Sequence, residues 1–522
     1  MIDNRSNYSS IPNDEEAIVQ KKTSTNNKKL HLTVRFILYG AIAFVIVFTL
    51  LFFRNKRNKS ASVSSKRNVI MMISDGFGPA SETFARQYYA WAEKKDIGFM
   101  LPLDEIHVGN SRTQSSSSLI TDSAAGATAF SCAKKSYNGA IGVDPEKVPC
   151  GTVLESAKIH KNMLTGLVVT SRVTHATPAS FSAHVGWRDW ENQIAEQQIG
   201  YTPLGRTVDL IFGGGLCEFT KNSSEGSCRA DDRDLLTEAK KNFGWHIVLS
   251  KEEYEELDSQ NASLPLMALF APNHMSYEMD RNPLHQPALH EMTAKALDIL
   301  KTKSLEQDTG FFLMIEGSRI DMAAHANDPA AHFYDIMEYQ RTVALVKQFV
   351  EDNPNTVLIS TSDHETGGFT AGRQIGDNYP EYLWNPHIIH RVRNSSEALA
   401  IAWNDIVHKE EDDVQSYNYL REVLIEIGLG ILDATRDEIE KLKAWKLAKK
   451  TLDDLGYLFA DMVSRRALIG WSTHGHTAVD VNLYAKGEGT EVLRGSHENI
   501  EIGEFIVNYL DLDLEDITKR LR

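Results

Sequence analysis

The chain has 522 residues, of which 42% are hydrophobic and 24% charged, and its formal net charge is −16. That composition is ordinary for a globular protein, and the length allows one large α/β domain with insertions or two domains. The charge is unevenly distributed, because residues 1–67 carry 12 Lys and Arg against 4 Asp and Glu, whereas residues 68–522 carry 43 against 67. So acidic a body argues against nucleic acid as a partner.

The N-terminal part of the chain predicts a tail and a membrane anchor. Residues 1–35 are polar and rich in Asn, Ser and Lys, as expected of a disordered tail. Residues 36–53 contain no charge and are just long enough to cross a bilayer core of about 30 Å. The basic linker 54–67 follows where a signal peptide would have a small-residue cleavage site, so we expect an uncleaved anchor. A buried core helix is the alternative.

The cysteines and glycosylation sequons predict the side of the membrane on which the body lies. Within residues 68–522, sequons begin at Asn222, Asn261 and Asn394, and the tail has matches at Asn4 and Asn7. An even number of cysteines together with sequons suits an oxidising lumen, so we expect a type II protein with a cytosolic tail. Four cysteines allow three pairings. Cys132–Cys150 and Cys217–Cys228 are favoured because each closes a short loop that is polar or contains glycine.

The body, residues 68–522, contains short apolar runs that end in polar residues. Residues 68–73, 167–170, 311–315 and 357–362 lead respectively to Asp75, to His175 and Thr177, to Glu316, and to Asp363 and His364. Such runs are typical of buried parallel strands, and active sites of open α/β sheets lie beyond the carboxyl ends of their strands. Helical periodicity at 284–303 and 331–351 alternates with these runs. The charged segment 376–470, with a helix over 437–450, is interpreted as an insertion.

Ser123 is a candidate nucleophile. It lies between Asp122 and the run Ala124–Ala129 of small residues that favour a helix. A serine in the first turn of a helix meets unpaired backbone N–H groups and the positive end of the helix dipole, a setting that favours anions. A capping residue or a packing helix is the alternative, since Ser and Asp are common N-caps.

Candidate metal ligands recur along the chain. Asp321 and His325 are four residues apart and would share one face of a helix, which is a common way to present two ligands to zinc. Asp363 and His364 are adjacent at a strand end, and His474 and His476 precede another predicted strand. Each pair alone is weak evidence of a site. Together with Asp75 they predict a centre for paired divalent metals, since so many buried acids require cations.

These motifs, taken in order, resemble the alkaline phosphatase family over about residues 68–510. The resemblance is carried by Asp75-Gly, Thr121-Asp-Ser-Ala-Ala-Gly-Ala-Thr128, His175-Ala-Thr177-Pro, Glu316 through His325, Thr361-Ser-Asp363-His364, and His474-Gly-His476-Thr-Ala-Val-Asp-Val. It implies a three-layer α/β sandwich with a large, mostly parallel central sheet, and a crown-like insertion at about 376–470. With the anchor, the chain most resembles the vacuolar, membrane-anchored members from yeast.

The resemblance also implies the role of each matching residue. Ser123 would be the phosphorylated serine, and Arg188 would grip the phosphate. Two zinc ions and one magnesium ion per chain would be held by three sets of ligands, of which the last two share Asp75: Asp321, His325 and His476 for the first zinc; Asp75, Asp363 and His364 for the second; Asp75, Thr177 and Glu316 for magnesium. His476 is preferred over His474 because Thr-Ala-Val-Asp-Val follows it. Asp122 and His175 would lie near the site.

Two positions depart from the bacterial pattern of the family. His175 stands where that pattern has an aspartate near magnesium, and Met322 stands where a lysine or histidine is usual. The implied function is hydrolysis of small phosphomonoesters, with phosphopeptides as a further class of substrate, by a homodimer in the vacuolar membrane with its catalytic domain in the lumen. A sulfatase, a phosphoglycerate mutase and a catalytically dead scaffold on the same fold are the alternatives. A sulfatase would need a C/S-x-P-x-R run beside the nucleophile, and a dead scaffold would have lost ligands.

Overall fold

The structure, a computed structural model, describes residues 66–409, 413–445 and 450–522. The predicted tail 1–35, the anchor 36–53 and nearly all of the linker 54–67 therefore lie outside the described residues. Within the described ranges, no helix is both long enough and apolar enough to span a bilayer.

A ten-stranded sheet forms the centre of the body, and four further strands of two residues each pair in two small sheets. The strands are β1 (Asn68–Ile73), β2 (His107–Arg112), β3 (Leu164–Arg172), β4 (Leu210–Gly214), β5 (His246–Val248), β6 (Leu266–Leu269), β7 (Phe311–Glu316), β8 (Thr356–Thr361), β9 (Glu365–Thr366), β10 (Thr370–Ala371), β11 (Ile469–Gly470), β12 (His476–Thr477), β13 (Val481–Lys486) and β14 (Gly495–Glu498). The order across the large sheet is β14-β2-β13-β8-β1-β7-β3-β4-β6-β5.

The large sheet is mostly parallel. β1 pairs in parallel with β7 on one side and β8 on the other, and β7 continues in parallel to β3. β13 is the strand that runs antiparallel to its neighbours, β8 and β2. Because β8, β1, β7 and β3 are adjacent and parallel, their carboxyl ends meet at one edge. The four predicted strands are confirmed, and so is their delivery of polar residues to a common edge.

Both faces of the sheet are covered by helices. In β1, Ile70 and Met72 pack in one apolar core, whereas Val69, Met71 and Ile73 pack in the other, because successive side chains of a strand point to opposite faces. A strand that is buried on both faces reads as a continuous apolar run, and β1 does so. The expected three-layer α/β sandwich is confirmed.

The helices of the layers alternate with the strands. They are Pro79–Ala92, Ser123–Cys132, Val153–Lys161, Ala176–Ser182, Glu191–Ile199, Leu235–Phe243, Lys251–Glu256, Leu289–Glu306, Arg319–His325, Pro329–Asp352, Asn499–Leu510 and Leu514–Arg520. The helix predicted at 284–303 begins later, at Leu289, because Pro287 cannot supply a backbone N–H inside a helix. The helix predicted at 331–351 begins at Pro329, where Asp328 caps it.

The segment 376–470 follows β10 and ends in β11, which pairs antiparallel with β10 in one of the small sheets. It holds the helices Pro386–Ile389, Ser396–Lys409, Asp413–Asn418, Arg436–Ala444 and Leu452–Ala467, and a π-helical stretch Tyr419–Gly428. The helix predicted over 437–450 ends at Ala444, and residues 446–449 lie outside the described part.

Two disulfides, Cys132–Cys150 and Cys217–Cys228, join the favoured partners. The pairing favoured from the sequence is therefore confirmed. Cys132 is the last residue of the helix that starts at Ser123, so the first disulfide fixes the far end of that helix. Cys217, Glu218 and Cys228 also lie close together, but the two sulfurs are bonded to each other rather than available to a metal.

Candidate active site

Three adjacent strands bring their terminal residues together at the carboxyl edge of the sheet. Asp75 follows β1, Glu316 ends β7 and Asp363 follows β8, and all three side chains are fully buried. The chain turns away after Asp75 at Gly76, whose φ is +73° and whose missing Cβ would lie 2.7 Å from Asp321. A side chain at this position would be strained and would displace Asp321. The sequence thus needs glycine here to let the two acids approach.

Ser123 is the first residue of its helix and faces the same edge. Its side chain is buried, and its Oγ lies 3.1 Å from His364 Nε2. Asp122 caps the helix by accepting from the backbone N–H of Ala125 at 3.0 Å. Gly126, one turn into the helix, lies against Asp363, where an added Cβ would be 3.0 Å from the Asp363 Cβ. The small residues therefore allow the helix N-terminus to approach the carboxylates.

Three imidazoles present the same nitrogen to the site. Since a backbone carbonyl can only accept, His325 Nδ1 donates to the His474 carbonyl and His476 Nδ1 donates to the Thr121 carbonyl. His364 Nδ1 donates to Thr366 Oγ1 at 3.1 Å, because that hydroxyl donates its own proton to Asp321 Oδ1 at 2.6 Å. Each Nε2 is then left with its lone pair, the arrangement that neutral histidines adopt as metal ligands.

The nitrogen lone pairs converge on one point beside Asp321. His325 Nε2 and His476 Nε2 are 3.1 Å apart, and His325 Nε2 is 3.3 Å from Asp321 Oδ2. The His364 ring stacks on the His476 ring with 3.5 Å between centroids. Two lone pairs and a carboxylate so close together repel one another unless a proton or a metal cation lies between them. Although burial lowers it, the negative charge of Asp321 raises the pKa of His325 to about 9, so this point attracts positive charge.

The buried carboxylates also lack partners. Both carboxylate oxygens of Asp75, as well as Asp363 Oδ2, Glu316 Oε1 and Thr177 Oγ1, are buried with no hydrogen-bond partner in the structure. Burial, and then the negative charge of Asp363, raises the pKa of Asp75 well above its ordinary value. Burial likewise raises the pKa of Glu316 to about 7. Unpartnered oxygens that would otherwise have to take up protons are the ligands that divalent cations prefer.

Three overlapping groups of ligand atoms fit metal ions. In each group the atoms lie within 4.8 Å of one another; the groups are Asp321, His364 and His476; Asp75, Asp363 and His364; and Asp75, His175 and Glu316. These groups fit divalent metals, and the second is the predicted set of ligands; the first contains His364 where His325 was predicted, so the exact ligand sets stay predictions. The third group contains His175 beside Asp75 and Glu316 and does not include Thr177; burial, with the charge of Arg188 adding to it, lowers the pKa of His175 and keeps it neutral.

Arg188 reaches the site from the loop after the helix Ala176–Ser182. Its Nη1 donates to Asp122 Oδ2 at 3.1 Å, and its Nη2 lies 3.2 Å from His175 Nε2. The guanidinium is thereby held beside Ser123 by the residue that also caps the serine's helix. A planar fork in this position can donate two hydrogen bonds to a tetrahedral anion. Asp122 and His175, expected only to be nearby, both contact Arg188.

Some residues of the site differ from expectation or were missed. His474 does not present its ring to the carboxylates: the ring stacks on Tyr457 at 3.7 Å, its Nδ1 donates to the backbone carbonyl of His325 at 2.7 Å, and its own carbonyl accepts from His325 Nδ1. Thr366, which orients His364 and Asp321, was not expected from the sequence; its position directly after Asp363-His-Glu was the available signal. Met322 lies one residue after Asp321 with its sulfur 3.1 Å from Arg319 Nη1.

Comparison with known proteins identifies the family of the chain. The sequence model of the family described as alkaline phosphatase matches residues 66–512. An alkaline phosphatase of Schizosaccharomyces pombe is 51% identical over 467 residues, which cover 89% of this chain and 85% of that protein.

Solved structures agree with the sequence comparison. The cold-active alkaline phosphatase of Shewanella superposes with a TM-score of 0.71 at 29% identity, covering 85% of this chain and 99% of that one. A mutant of the alkaline phosphatase of the Antarctic bacterium TAB5, solved with magnesium in its M3 site, superposes with a TM-score of 0.59 at 26% identity, covering 86% and 99%. The fold, the matched residues and the identity agree, and the chain belongs to the alkaline phosphatase family of phosphomonoester hydrolases.

Proposed function

We propose that the chain hydrolyses phosphomonoesters by transferring the phosphoryl group to Ser123 and then to water. The observation that carries the proposal is the position of Ser123 Oγ, which lies 3.1 Å from His364 Nε2 at the start of a helix and beside Arg188. A buried serine among metal-ligand candidates, with an anion-binding guanidinium next to it, is the arrangement that phosphoryl transfer requires.

We propose two zinc ions and one magnesium ion at the site. Asp321, His325 and His476 would hold the first zinc, Asp75, Asp363 and His364 the second, and Asp75, Thr177 and Glu316 the magnesium. Bound there, the metals would favour the ionised form of the serine hydroxyl and neutralise the negative charge that develops on the departing alcohol. The unpartnered oxygens and the converging nitrogen lone pairs support these three sets.

The protein's own residues position the substrate. Arg188 would donate two hydrogen bonds to non-reacting oxygens of the phosphate, and Asp122 would keep the guanidinium in place. Ser123 Oγ then forms a bond to phosphorus while the bond from phosphorus to the alcohol oxygen breaks, and the alcohol takes up a proton from water. In the second step a water oxygen bonds to phosphorus and the Ser123 oxygen leaves. Two displacements predict retention of configuration at phosphorus.

Phosphate release from an aryl phosphate, measured with and without a chelator, tests the proposed function. We expect turnover to be lost with the chelator and restored by zinc and magnesium. Metal analysis of the purified body should find about two zincs and one magnesium per chain. The variant Ser123→Ala should retain the metals but lose most of its activity. Near-normal turnover in this variant, or turnover that the chelator leaves unchanged, would contradict the proposal.

We also propose that the chain is a glycosylated type II protein of the vacuolar membrane, acts in the lumen and forms a homodimer. The apolar run at 36–53, the two disulfides and the exposed side chains of Asn222, Asn261 and Asn394 support the membrane and lumenal parts. The homodimer rests on the family resemblance. A decrease in the apparent mass of the full chain after glycosidase treatment would test the lumenal part. Light scattering of the purified body would test the homodimer separately.

A further inference from the structure

A cavity of about 360 Å³ lies beside the candidate active site. His325, one of the proposed zinc ligands, forms part of its wall, and Met322 and Ala326 from the same helix continue that wall. The opposite walls come from the insertion, through the helices Ser396–Lys409 and Leu452–Ala467. The volume lies within the range of small-molecule sites. The cavity therefore extends from the reacting centre to residues that the mechanism does not use.

The charge inside the cavity is unevenly exposed. Arg319 is buried, with 4% of its side chain exposed, and its Nη2 donates to both carboxylate oxygens of Glu397. Its guanidinium also lies over the Tyr277 ring, 3.6 Å from the centroid. Glu397, in contrast, has 47% of its side chain exposed, and Asp453 is exposed at the mouth. Away from the proposed metal ligand His325, the accessible charge of the cavity is thus negative, while the charge of Arg319 is enclosed.

Apolar and aromatic groups surround these carboxylates. Ala400, Leu452 and Gly456 line the cavity between Glu397 and Asp453. The ring of Tyr457, which also lines it, is braced by stacking on His474. Met322 adds a polarisable thioether where a lysine or histidine would have added a donor and, for lysine, a positive charge. Carboxylates next to an aromatic ring and apolar groups are suited to an alkylated ammonium group, which gains from charge and from the ring face.

We propose that this cavity binds the leaving group of the substrate and selects monoesters whose alcohol carries an ammonium group. The proposal rests on the proposed function, because it assigns the alcohol side of the same reaction. The structure supports it by the contact of the cavity with His325 and by the exposed carboxylates of Glu397 and Asp453. A leaving group with a second anionic group would be repelled by the same two carboxylates.

Two nearly isosteric esters test this selectivity. Phosphocholine carries a trimethylammonium group. The ester in which an uncharged tert-butyl group replaces it, called the neutral ester because its alcohol part has no charge, has almost the same shape. We expect the wild-type enzyme to favour phosphocholine in kcat/KM by about fivefold, the size expected of exposed charge pairs, and by less at high salt. kcat/KM is the appropriate measure because the leaving group departs in the first displacement. Calorimetry should show that phosphocholine also binds Ser123→Ala more tightly than the neutral ester does.

The variants separate charge from volume. Asp453→Asn should lower the preference for phosphocholine by about twofold or more, whereas Glu440→Gln, the same change of charge on an exposed helix position outside the cavity, should leave it unchanged. Glu397→Gln is a poorer choice because it removes the partner of a buried guanidinium. Gly456→Leu should fill the cavity and reduce kcat/KM about tenfold or more for phosphocholine and for the neutral ester, which are both larger than methyl phosphate. Gly376→Leu, the same change at an exposed loop position outside the cavity with open space around the added Cβ, is its control and should leave kcat/KM unchanged.

The outcomes distinguish this inference from the proposed function. Equal kcat/KM for the two esters in the wild-type enzyme, or the same preference in Asp453→Asn as in Glu440→Gln, would overturn the leaving-group assignment while phosphate release upheld the proposed function. A loss of methyl phosphate turnover in Gly456→Leu as large as the loss with the bulky esters would also overturn it. Absence of turnover of every monoester by the metal-loaded wild-type enzyme would overturn the proposed function and this inference with it.

Discussion

At the scale of single residues, the orientation of the imidazoles determines what the site can bind. His325 and His476 are each fixed by a backbone carbonyl, which can accept only from a protonated Nδ1. His364 depends instead on the Thr366 hydroxyl, which accepts from His364 and donates to Asp321. One hydroxyl therefore orients ligands from both proposed zinc sets. It contacts no substrate in the proposed mechanism and is a positioning residue.

Replacing Thr366 with valine tests this role. Valine keeps the shape but cannot donate to Asp321 or accept from His364, so we expect zinc affinity to fall about 10- to 100-fold, as is typical when a group that orients a ligand is lost. Titration of zinc against a competing chelator measures the effect. Thr370→Val, at an exposed position four residues on, is the control. Unchanged zinc affinity in Thr366→Val would show that the hydroxyl does not orient the ligands.

At the scale of elements, the helix Ser123–Cys132 must lie close to the end of β8. Its first turn approaches Asp363 at Gly126, and its last residue is held by the disulfide from Cys132 to Cys150. The helix is buried along its whole length, so its position depends on small side chains rather than on a polar outer face. Both ends of the element that carries the nucleophile are thus fixed by identifiable contacts.

A methyl group at Gly126 should move this helix. In Gly126→Ala the added Cβ would lie 3.0 Å from the Asp363 Cβ, closer than side chains pack, so the helix or the strand end must shift by a few tenths of an ångström. We expect kcat to fall about tenfold, since small misplacements of a nucleophile are costly. Gly376→Ala, the same change at an exposed loop position with open space around the added Cβ, should keep its kcat. Equal kcat in the two variants would argue against close approach as the reason for the glycine.

The two disulfides should differ in their effect on activity. Removing Cys132–Cys150 by a double substitution to serine opens a loop with a separation of 18 residues and should lower the free energy of unfolding by about 3 kcal/mol. It should also lower kcat, because it frees the end of the nucleophile's helix. The same change at Cys217 and Cys228 opens a shorter loop and should lower stability but leave kcat unchanged. Denaturant unfolding and steady-state kinetics measure both effects; the same kcat in the two double variants would contradict the expectation.

At the scale of the whole molecule, metal binding and stability are coupled through the buried acids. Without metals, burial and neighbouring negative charges raise the pKa of Asp75 well above its ordinary value, and burial raises the pKa of Glu316 to about 7. Although burial acts against it, Asp321 raises the pKa of His325 to about 9. These groups bind protons more tightly in the folded chain than in the unfolded chain. The stability they contribute is therefore present at low pH and lost as pH rises through 7 to 9.

The metal-free protein should consequently become less stable between pH 7 and pH 9, by several degrees in Tm more than the loaded protein. Bound metals replace the protons and compensate the same charges, so the loaded protein should not share this fall. Thermal unfolding of chelator-treated and metal-loaded protein at the two pH values measures the difference. Glu82, a buried acid away from the site with a pKa raised by burial to about 8, contributes equally to both forms and cancels. An identical pH dependence of Tm in the two forms would contradict the account.

Much of the site was predictable because its residues follow short, recognisable runs. The apolar strands that end at Asp75, Glu316 and Asp363 are local patterns, and a parallel sheet necessarily brings such ends together. The role of Thr366 was not predictable, since it depends on two side chains meeting one hydroxyl in space. The cavity beside His325 was not predictable either, because it forms where the helix of the Asp321–His325 motif meets residues between 396 and 457 that carry no motif.

The central claim is that the phosphoryl group passes through Ser123, and trapping that intermediate tests it most directly. The metal-loaded enzyme would be mixed with an aryl phosphate, quenched in acid within one turnover and digested for mass spectrometry. We predict phosphate on the peptide that contains Ser123, formed and lost at rates that account for turnover, and no such peptide from Ser123→Ala. Full turnover with no phosphoserine at any time, or with phosphate on another residue, would contradict the account.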